Sequence, residues 1–438
     1  MTRVSQLVAA CALCALLASY AGAAQSANPP KSRTVPDPAA QELNRLLASA
    51  QEALDRQDYA AAAQNYQDYL AKKPDDAIVH YDLGYAYTGL QRPSDAKAEY
   101  EKAISLAPKM AAAYLNLGLT LMSTDPKAAV EPLQHAVELM PGEARPLLYL
   151  ATALERSGQL PEAVRWFQAA AKLDERNYAV QFALGRALLA ANRPPEAEAA
   201  FRAALALRSD AGEAHLGLAR SLNAQKKPEA AAAELAAYLQ TNPDDPDARL
   251  ERAAALVELG KPADALRELD AAASRGSEGL GALKLRAQIY FAEKRYADAV
   301  PPLEKAAALA PDDKNLAVLL GHAYLESKKY PEALRALVAA YRLDREAPDV
   351  QYDLALAEYY TKNYTSALNL LDNLSTHVTL SPPGWFIRAD CYDNLGRKAE
   401  ALESYAKFLQ LNKEENSDMY FEASARVRTL TRELREKR

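Results

Sequence analysis

The sequence predicts an all-α protein, a solenoid in which eleven helix–turn–helix repeats follow one another. Three observations predict it. A stretch of 34 residues, Ala77 to Met110, recurs along most of the chain. Two places in every copy carry only small side chains. The composition is 50% apolar with only 16 Gly, and Ala and Leu dominate, which suits helices and gives strands little support. At 438 residues the chain is also too long for one ordinary core, since single cores rarely exceed about 250–300 residues. A repeat array has no such ceiling, because it grows by adding units.

Within Ala77–Met110, His80, Leu83, Gly84 and Tyr87 share one face of a first helix. Ala96, Tyr100 and Ala103 share one face of a second. Gly89 and the run Gln91-Arg92-Pro93-Ser94 separate the two, and Pro108 stops the second. This pattern resembles the tetratricopeptide repeat, a helix–turn–helix unit of 34 residues. The resemblance implies a right-handed α-solenoid. Repeats begin at Leu43, Ala77, Ala111, Ala144, Tyr178, Gly212, Pro246, Leu280, Lys314, Pro348 and Pro382, and the array spans residues 42–415. One residue is missing, in the short turn Ser123-Thr124-Asp125-Pro126 of the third unit.

Every eighth position is Gly or Ala, from Ala50 and Gly84 to Ala355 and Ala389. Every twentieth position is Ala, from Ala62 and Ala96 to Ala367 and Ala401, allowing for the short turn. Two helices approach tightly only where the side chains between them are small. The twenty-fourth positions are all large: Tyr66, Tyr100, Leu133, Phe167, Phe201, Leu235, Leu269, Leu303, Leu337, Leu371 and Tyr405. They are expected to fill the space between one helix pair and the next. Residues 416–438 form no repeat. Tyr420, Val427, Leu430 and Leu434 fall on one helical face there, as a C-terminal capping helix requires. Its Arg426, Arg428, Arg432 and Arg435 read as a solvated face that can also meet an acidic partner.

The N-terminus is a different kind of sequence. Arg3, the apolar run Leu7–Ala18 and the small residues Ala21-Gly22-Ala23 read as a secretory signal peptide over residues 1–24, cleaved near Ala23 or Ala24. The apolar run is too short to span a bilayer, so no membrane span is expected in the mature chain. Residues 25–41 read as a Pro-rich flexible spacer. The expected address is periplasmic or secreted. Cys11 and Cys14 leave with the signal, so Cys391 stands alone and no internal disulfide can form. The net charge is −6, and −7 without residues 1–24, which hold Arg3 and no acid. That balance argues against nucleic acid as the partner.

Catalytic chemistry is missing from the pattern. None of the five histidines has a second His or Cys at metal-ligand spacing, and no nucleophile elbow, zinc helix motif, P-loop or dinucleotide motif occurs. No cofactor and no metal are expected. His80 and His215, at fourth positions, read as packing residues. The pairs Asp75-Asp76, Asp244-Asp245 and Asp312-Asp313 read as helix caps. Cys391 reads as a buried packing residue.

What remains is surface. The resemblance implies that the first helices line a concave groove through their second, fifth, sixth, ninth, twelfth and thirteenth positions. Carried onto this chain, those phases select Tyr81 and Tyr85 in the second unit, Leu115, Asn116, Leu119 and Met122 in the third, and Arg145, Tyr149 and Thr152 in the fourth. They select Phe182 and Arg186 in the fifth and Arg220 and Asn223 in the sixth. Such a mixture buries apolar side chains of a partner and holds its carbonyls or carboxylates. The Lys/Asn clamp by which relatives of this repeat hold acidic chaperone tails does not occur in any three successive units. The seventh unit is acidic (Asp247, Glu251, Glu258), and the tenth acidic and aromatic (Asp349, Tyr352, Asp353, Tyr359, Tyr360). The expected function is a non-catalytic scaffold that holds protein or peptide partners, within an envelope complex. The competing readings are a glycan-binding periplasmic arm of exopolysaccharide export, and an enzyme. Against the enzyme, no segment outside the array is long enough for a catalytic domain.

Overall fold

The computed structural model describes residues 37–274, 278–414 and 416–436. The expected signal peptide lies outside the described residues, as does the spacer as far as Pro36. The described residues form helices joined by short turns, with no strand among them. The chain divides between Thr124 and Asp125 into two compact units.

The first unit holds α1 (Pro38–Asp55), α2 (Tyr59–Leu70), α3 (Ala77–Gly89), α4 (Pro93–Leu106) and α5 (Ala111–Met122), each packed on the next. α1 corrects the N-terminal reading: a helix from Pro38 takes in residues 38–41 of the expected spacer and extends the first unit N-terminal to Leu43, while Ala50, Ala62 and Tyr66, at the phases counted from Leu43, are buried. The cause is local. The Asp37 carboxylate accepts the amide of Ala39 at 3.1 Å, and Pro38 takes the first helical position, where its missing N–H costs nothing.

The second unit holds α6 (Val130–Leu139), α7 (Ala144–Arg156), α8 (Leu160–Leu173), α9 (Tyr178–Ala190), α10 (Pro194–Leu207) and α11 (Gly212–Ala224). It continues with α12 (Pro228–Thr241), α13 (Pro246–Glu258), α14 (Pro262–Ala273), α15 (Leu280–Ala292), α16 (Tyr296–Leu309) and α17 (Lys314–Glu326). It ends with α18 (Tyr330–Leu343), α19 (Pro348–Tyr360), α20 (Tyr364–His377), α21 (Pro382–Asn394), α22 (Lys398–Leu411) and α23 (Asp418–Glu436). Again each helix packs on its successor. From Ala77 onward, first helices begin at the residues where the 34-residue pattern restarts.

The packing rule is visible at each phase. All eleven alanines at the twentieth position are 0% exposed, and every large residue at the twenty-fourth is at most 1% exposed. A Cβ added to the eighth-position Gly84 would lie 2.8 Å from the Tyr100 ring, and one on Gly185 2.9 Å from Phe201. The large residue therefore lies on its own hairpin as well as between hairpins. Phe201 shows both contacts, since a Cβ on Gly217 of the following first helix would lie 2.4 Å from its Cζ. A ring wedged between two glycines leaves no room for another methyl.

The turns carry a feature the sequence reading missed. The fifteenth residue is left-handed in every unit but the third, whose turn is one short. Gly supplies it at Gly158, Gly260 and Gly396, but Gln57, Gln91, Asn192, Lys226, Lys294, Lys328 and Lys362 adopt φ between 56° and 66°. The next amide then reaches back to the first helix, as Arg92 N–H does to Tyr87 O at 2.9 Å and Lys329 N–H to Tyr324 O at 2.8 Å. This closes the carbonyls a helix end leaves open.

Fourth positions do more than pack. His80 Nδ1 lies 2.6 Å from the Glu99 carboxylate and its Nε2 lies 2.8 Å from the Pro74 carbonyl. His215 repeats this with Glu234 at 2.6 Å and Ser209 O at 3.0 Å. Arg249 does so with Glu268 at 2.7 Å and Pro243 O at 2.8 Å. One side chain ties its helix to the preceding turn and to the second helix of its own hairpin. Asp76, Asp245 and Asp313 cap α3, α13 and α17 through their side chains. Cys391 is fully buried, and burial, with the charge of Asp390, pushes its thiol up to about 12, which disfavours the thiolate and suits a packing residue. α23 buries Ala423 and Leu430 and packs Val427 against the last hairpins. Arg426 is not available to an outside acid: it grips Asp393 at 2.6 and 2.7 Å.

Gly217→Val should lower stability by about 1–3 kcal/mol through overpacking against Phe201, read from urea unfolding. Adding Phe201→Leu should recover part of that loss. Equal losses in the single and double variants would show that the ring is not wedged.

Candidate functional site

The first helices approach one another directly, α3 with α5 in the first unit, and α9 with α11, α13 with α15, and α17 with α19 in the second. Their shared faces carry the phases assigned to partner binding. In the first unit Asn116 Nδ2 donates to Tyr81 Oη at 3.0 Å, which joins α5 to α3. The Tyr81 ring leans on Tyr100 at 5.9 Å. Tyr85 and Leu119 are half-buried beside them.

The second unit holds the remaining seven. Arg145, Tyr149 and Thr152 are half-buried on α7. Arg145 Nε is buried without a hydrogen-bond partner among the described residues. Thr152 spends its hydroxyl on Leu148 O at 2.8 Å in its own helix. Phe182 is bound into packing, stacked on Tyr178 at 5.8 Å and edge-on to Phe201 at 5.9 Å. Arg186 is exposed and reaches Glu155 of the preceding first helix at 2.7 Å. Arg220 reaches Glu251 of the following one at 2.9 Å, a bond that raises its pKa. Asn223 is half-buried. Exposed pairs of this kind contribute only about 0–1 kcal/mol each, so a partner carboxylate can compete for these guanidinium groups. Glu251, read as part of an acidic seventh unit, is thus half of a salt bridge.

Two features escaped the sequence reading. The first unit contains a cavity of about 400 Å³, lined by Leu47, Ala48 and Gln51 of α1, Tyr66 of α2, and Ile78 and Asp82 of α3. Leu47, Ala48, Gln51, Ile78 and Asp82 all occupy groove phases of their units. The phase rule points to them, but it was applied from Tyr81 onward and passed over the acid at the sixth position. The second feature is a run of rings from α15 to α20. Phe291, Tyr296 and His322 lie 5.3 to 5.9 Å apart. Tyr330 stacks on Tyr360 at 4.3 Å, and Tyr359 meets Tyr360 at 5.1 Å. Only Tyr359 and Tyr360 were singled out in sequence as part of an aromatic surface: Tyr296 and Tyr330 occupy seventeenth positions, outside the groove phases, while Phe291 and His322 occupy the twelfth and ninth positions of units where the phase rule was not applied.

A tetratricopeptide repeat model matches residues 47–93, 182–246, 250–314 and 318–374, more than half of the chain. Two further models of that description match 290–339, and 77–110 with 382–415. The chain belongs to the tetratricopeptide repeat family. No curated protein matches this tetratricopeptide repeat chain. Among solved structures it is similar to YrrB, a TPR protein with an unusual peptide-binding site, at 22% identity over 43% of this chain and 97% of that one, TM-score 0.40. It is similar to PilF of Pseudomonas aeruginosa at 24% identity, over 46% and 92%, TM-score 0.39. It is also similar to the C-terminal part of a TPR repeat-containing protein of Cytophaga hutchinsonii at 19% identity, over 62% and 98%, TM-score 0.42. No helix among the described residues of this tetratricopeptide repeat protein is long and apolar enough to cross a membrane.

His322 is the titrating member of the ring cluster. Its Nδ1 lies 3.5 Å from Asp353, and that hydrogen bond, with the charges of Asp353 and Glu326, raises its pKa against the opposing pull of burial. A raised folded pKa gives stability that is fully present below the ordinary imidazole value and is lost as pH rises through the raised one. His322→Gln should therefore lower the melting temperature more at about pH 5.5 than at about pH 8.5. Equal losses at both would remove the ion-pair account.

Proposed function

We propose that the protein is a non-catalytic scaffold that holds partner proteins or peptides on the face of its first helices, exported to the cell envelope. One observation carries the reading: in a tetratricopeptide repeat chain, half-buried Tyr149 and Asn223 stand on the same helix row as exposed Arg186 and Arg220. Aromatic and amide groups bury and orient a partner backbone, and the two exposed arginines exchange their half-buried glutamates, Glu155 and Glu251, for partner carboxylates. The signal-like residues 1–24 support export to the periplasm or beyond. The test of export is N-terminal sequencing of protein recovered from the periplasm. A mature terminus just after Ala23 or Ala24 is expected, and an intact Met1 in a cytoplasmic fraction would overturn it.

The run of rings in the second unit favours one competing reading, a glycan-binding periplasmic arm, since Tyr360 is 45% exposed and open to stack on a sugar. A single comparison separates the two. Replacing Tyr149, Arg186 and Asn223 together by Ala should abolish the partners crosslinked in native envelopes, while the circular-dichroism melt stays unchanged. Unchanged partners in a folded triple variant would refute the groove. Loss of glycan retention in Tyr360→Ala, with no protein partner in either chain, would install the saccharide reading.

A further inference from the structure

We propose that the cavity of the first unit is a subsite for a basic side chain, a lysine or arginine of the partner polypeptide, with Asp82 as its counter-ion. The assignment rests on the scaffold reading and adds the chemistry of one residue that the scaffold takes.

The walls suit a long aliphatic stem. Leu47 and Ala48 of α1 face Ile78 of α3 across the cavity, and Ile78 is left 63% exposed. A large aliphatic group that open to water is uncovered apolar surface, and a lysine or arginine stem covers such surface while its charge sits beyond it. The volume of about 400 Å³ admits one such side chain with room for water.

The polar end supplies the specificity. Two carboxylates line the cavity, and their states differ. Asp76 is fully engaged: it accepts from Tyr69 Oη and Lys73 Nζ, both at 2.9 Å, and caps the Val79 amide. The Asp82 carboxylate accepts no hydrogen bond and forms no ion pair among the described residues. Burial, with the charge of Asp76 added, pushes it up to about 7. A half-buried carboxylate without a donor is less well solvated than one in open water, and an incoming cation offsets that cost.

The surrounding groups select the sign of the ligand. On α1 the titratable neighbour is Asp55; on α2 it is Tyr66, whose hydroxyl burial and the charges of Asp82 and Asp55 hold in the neutral form. At the start of α3 it is Asp76, and the nearby cation Lys73 is already held by that residue. The charged residues lining the cavity are both carboxylates, Asp76 and Asp82, which repel an acidic tail and attract a basic one.

The experiment uses the full chain and labelled extended peptides with one central residue, lysine or norleucine, between leucines. Fluorescence anisotropy at about pH 8 should show the lysine peptide binding about tenfold tighter, the gain of one charge-assisted bond. The advantage should shrink toward about pH 6, as Asp82 takes up a proton. In Asp82→Asn, shown folded by its unchanged helical spectrum, the two peptides should bind alike at both pH values. Equal binding by the native chain, or an advantage that survives Asp82→Asn, would overturn the site. Free butylammonium matching the peptide would overturn the assignment to a polypeptide. Partners lost from the Tyr149, Arg186 and Asn223 variant speak only to the scaffold, so the two readings fail separately.

Discussion

Close approach of helices is the constraint on which the rest of this structure depends. In each hairpin a large residue at the twenty-fourth position has to find space between backbones, and that space exists only because the facing positions carry a methyl group or nothing. Phe201 between Gly185 and Gly217 is the clearest instance, because one ring fixes the distance within its own hairpin and to the next. The polar ties at the fourth positions, such as His80 to Glu99 and Arg249 to Glu268, act on a frame that this packing has already set. They satisfy groups that would otherwise be buried unpaired.

That frame also explains why the groups proposed to bind a partner sit where they do. The face of a first helix turned toward its partner helix is consumed by small residues, leaving the other phases free to vary. Adjacent first helices then spend part of that freedom on each other, as Asn116 does on Tyr81 and Arg220 on Glu251. On the proposed reading, a partner enters by competing with these cross-helix bonds. Asp82 differs because no group of the described chain has claimed it.

The architecture was legible in the sequence because its signal is periodic. Eleven alanines at one phase state both the repeat and its register, and all eleven prove to be buried. The start of α1 was misread because Asp37-Pro38 was taken for the end of a Pro-rich linker although it is a cap followed by a first helical residue. The binding phases could be selected, but phase cannot say which side chain is already spoken for. Thr152 turned back into its helix and Phe182 bound into packing show that limit. Arg186 and Glu155 are separated by 31 residues, a spacing that tells nothing until two helices are set side by side.

The left-handed turn residues have a consequence for how this family member distributes its cations. Four of these corners are lysines, at Lys226, Lys294, Lys328 and Lys362. Glycine would relax each corner but would also loosen the denatured chain, so the two effects oppose each other. The choice of side chain there is therefore nearly neutral for folding and is open to other uses. Lysine puts a positive charge against the negative end of the helix dipole, and in a chain of net charge −6 it seeds the hairpin tips with exposed ammonium groups. These corners are places where evolution can recolour the surface electrostatics without touching a single buried atom.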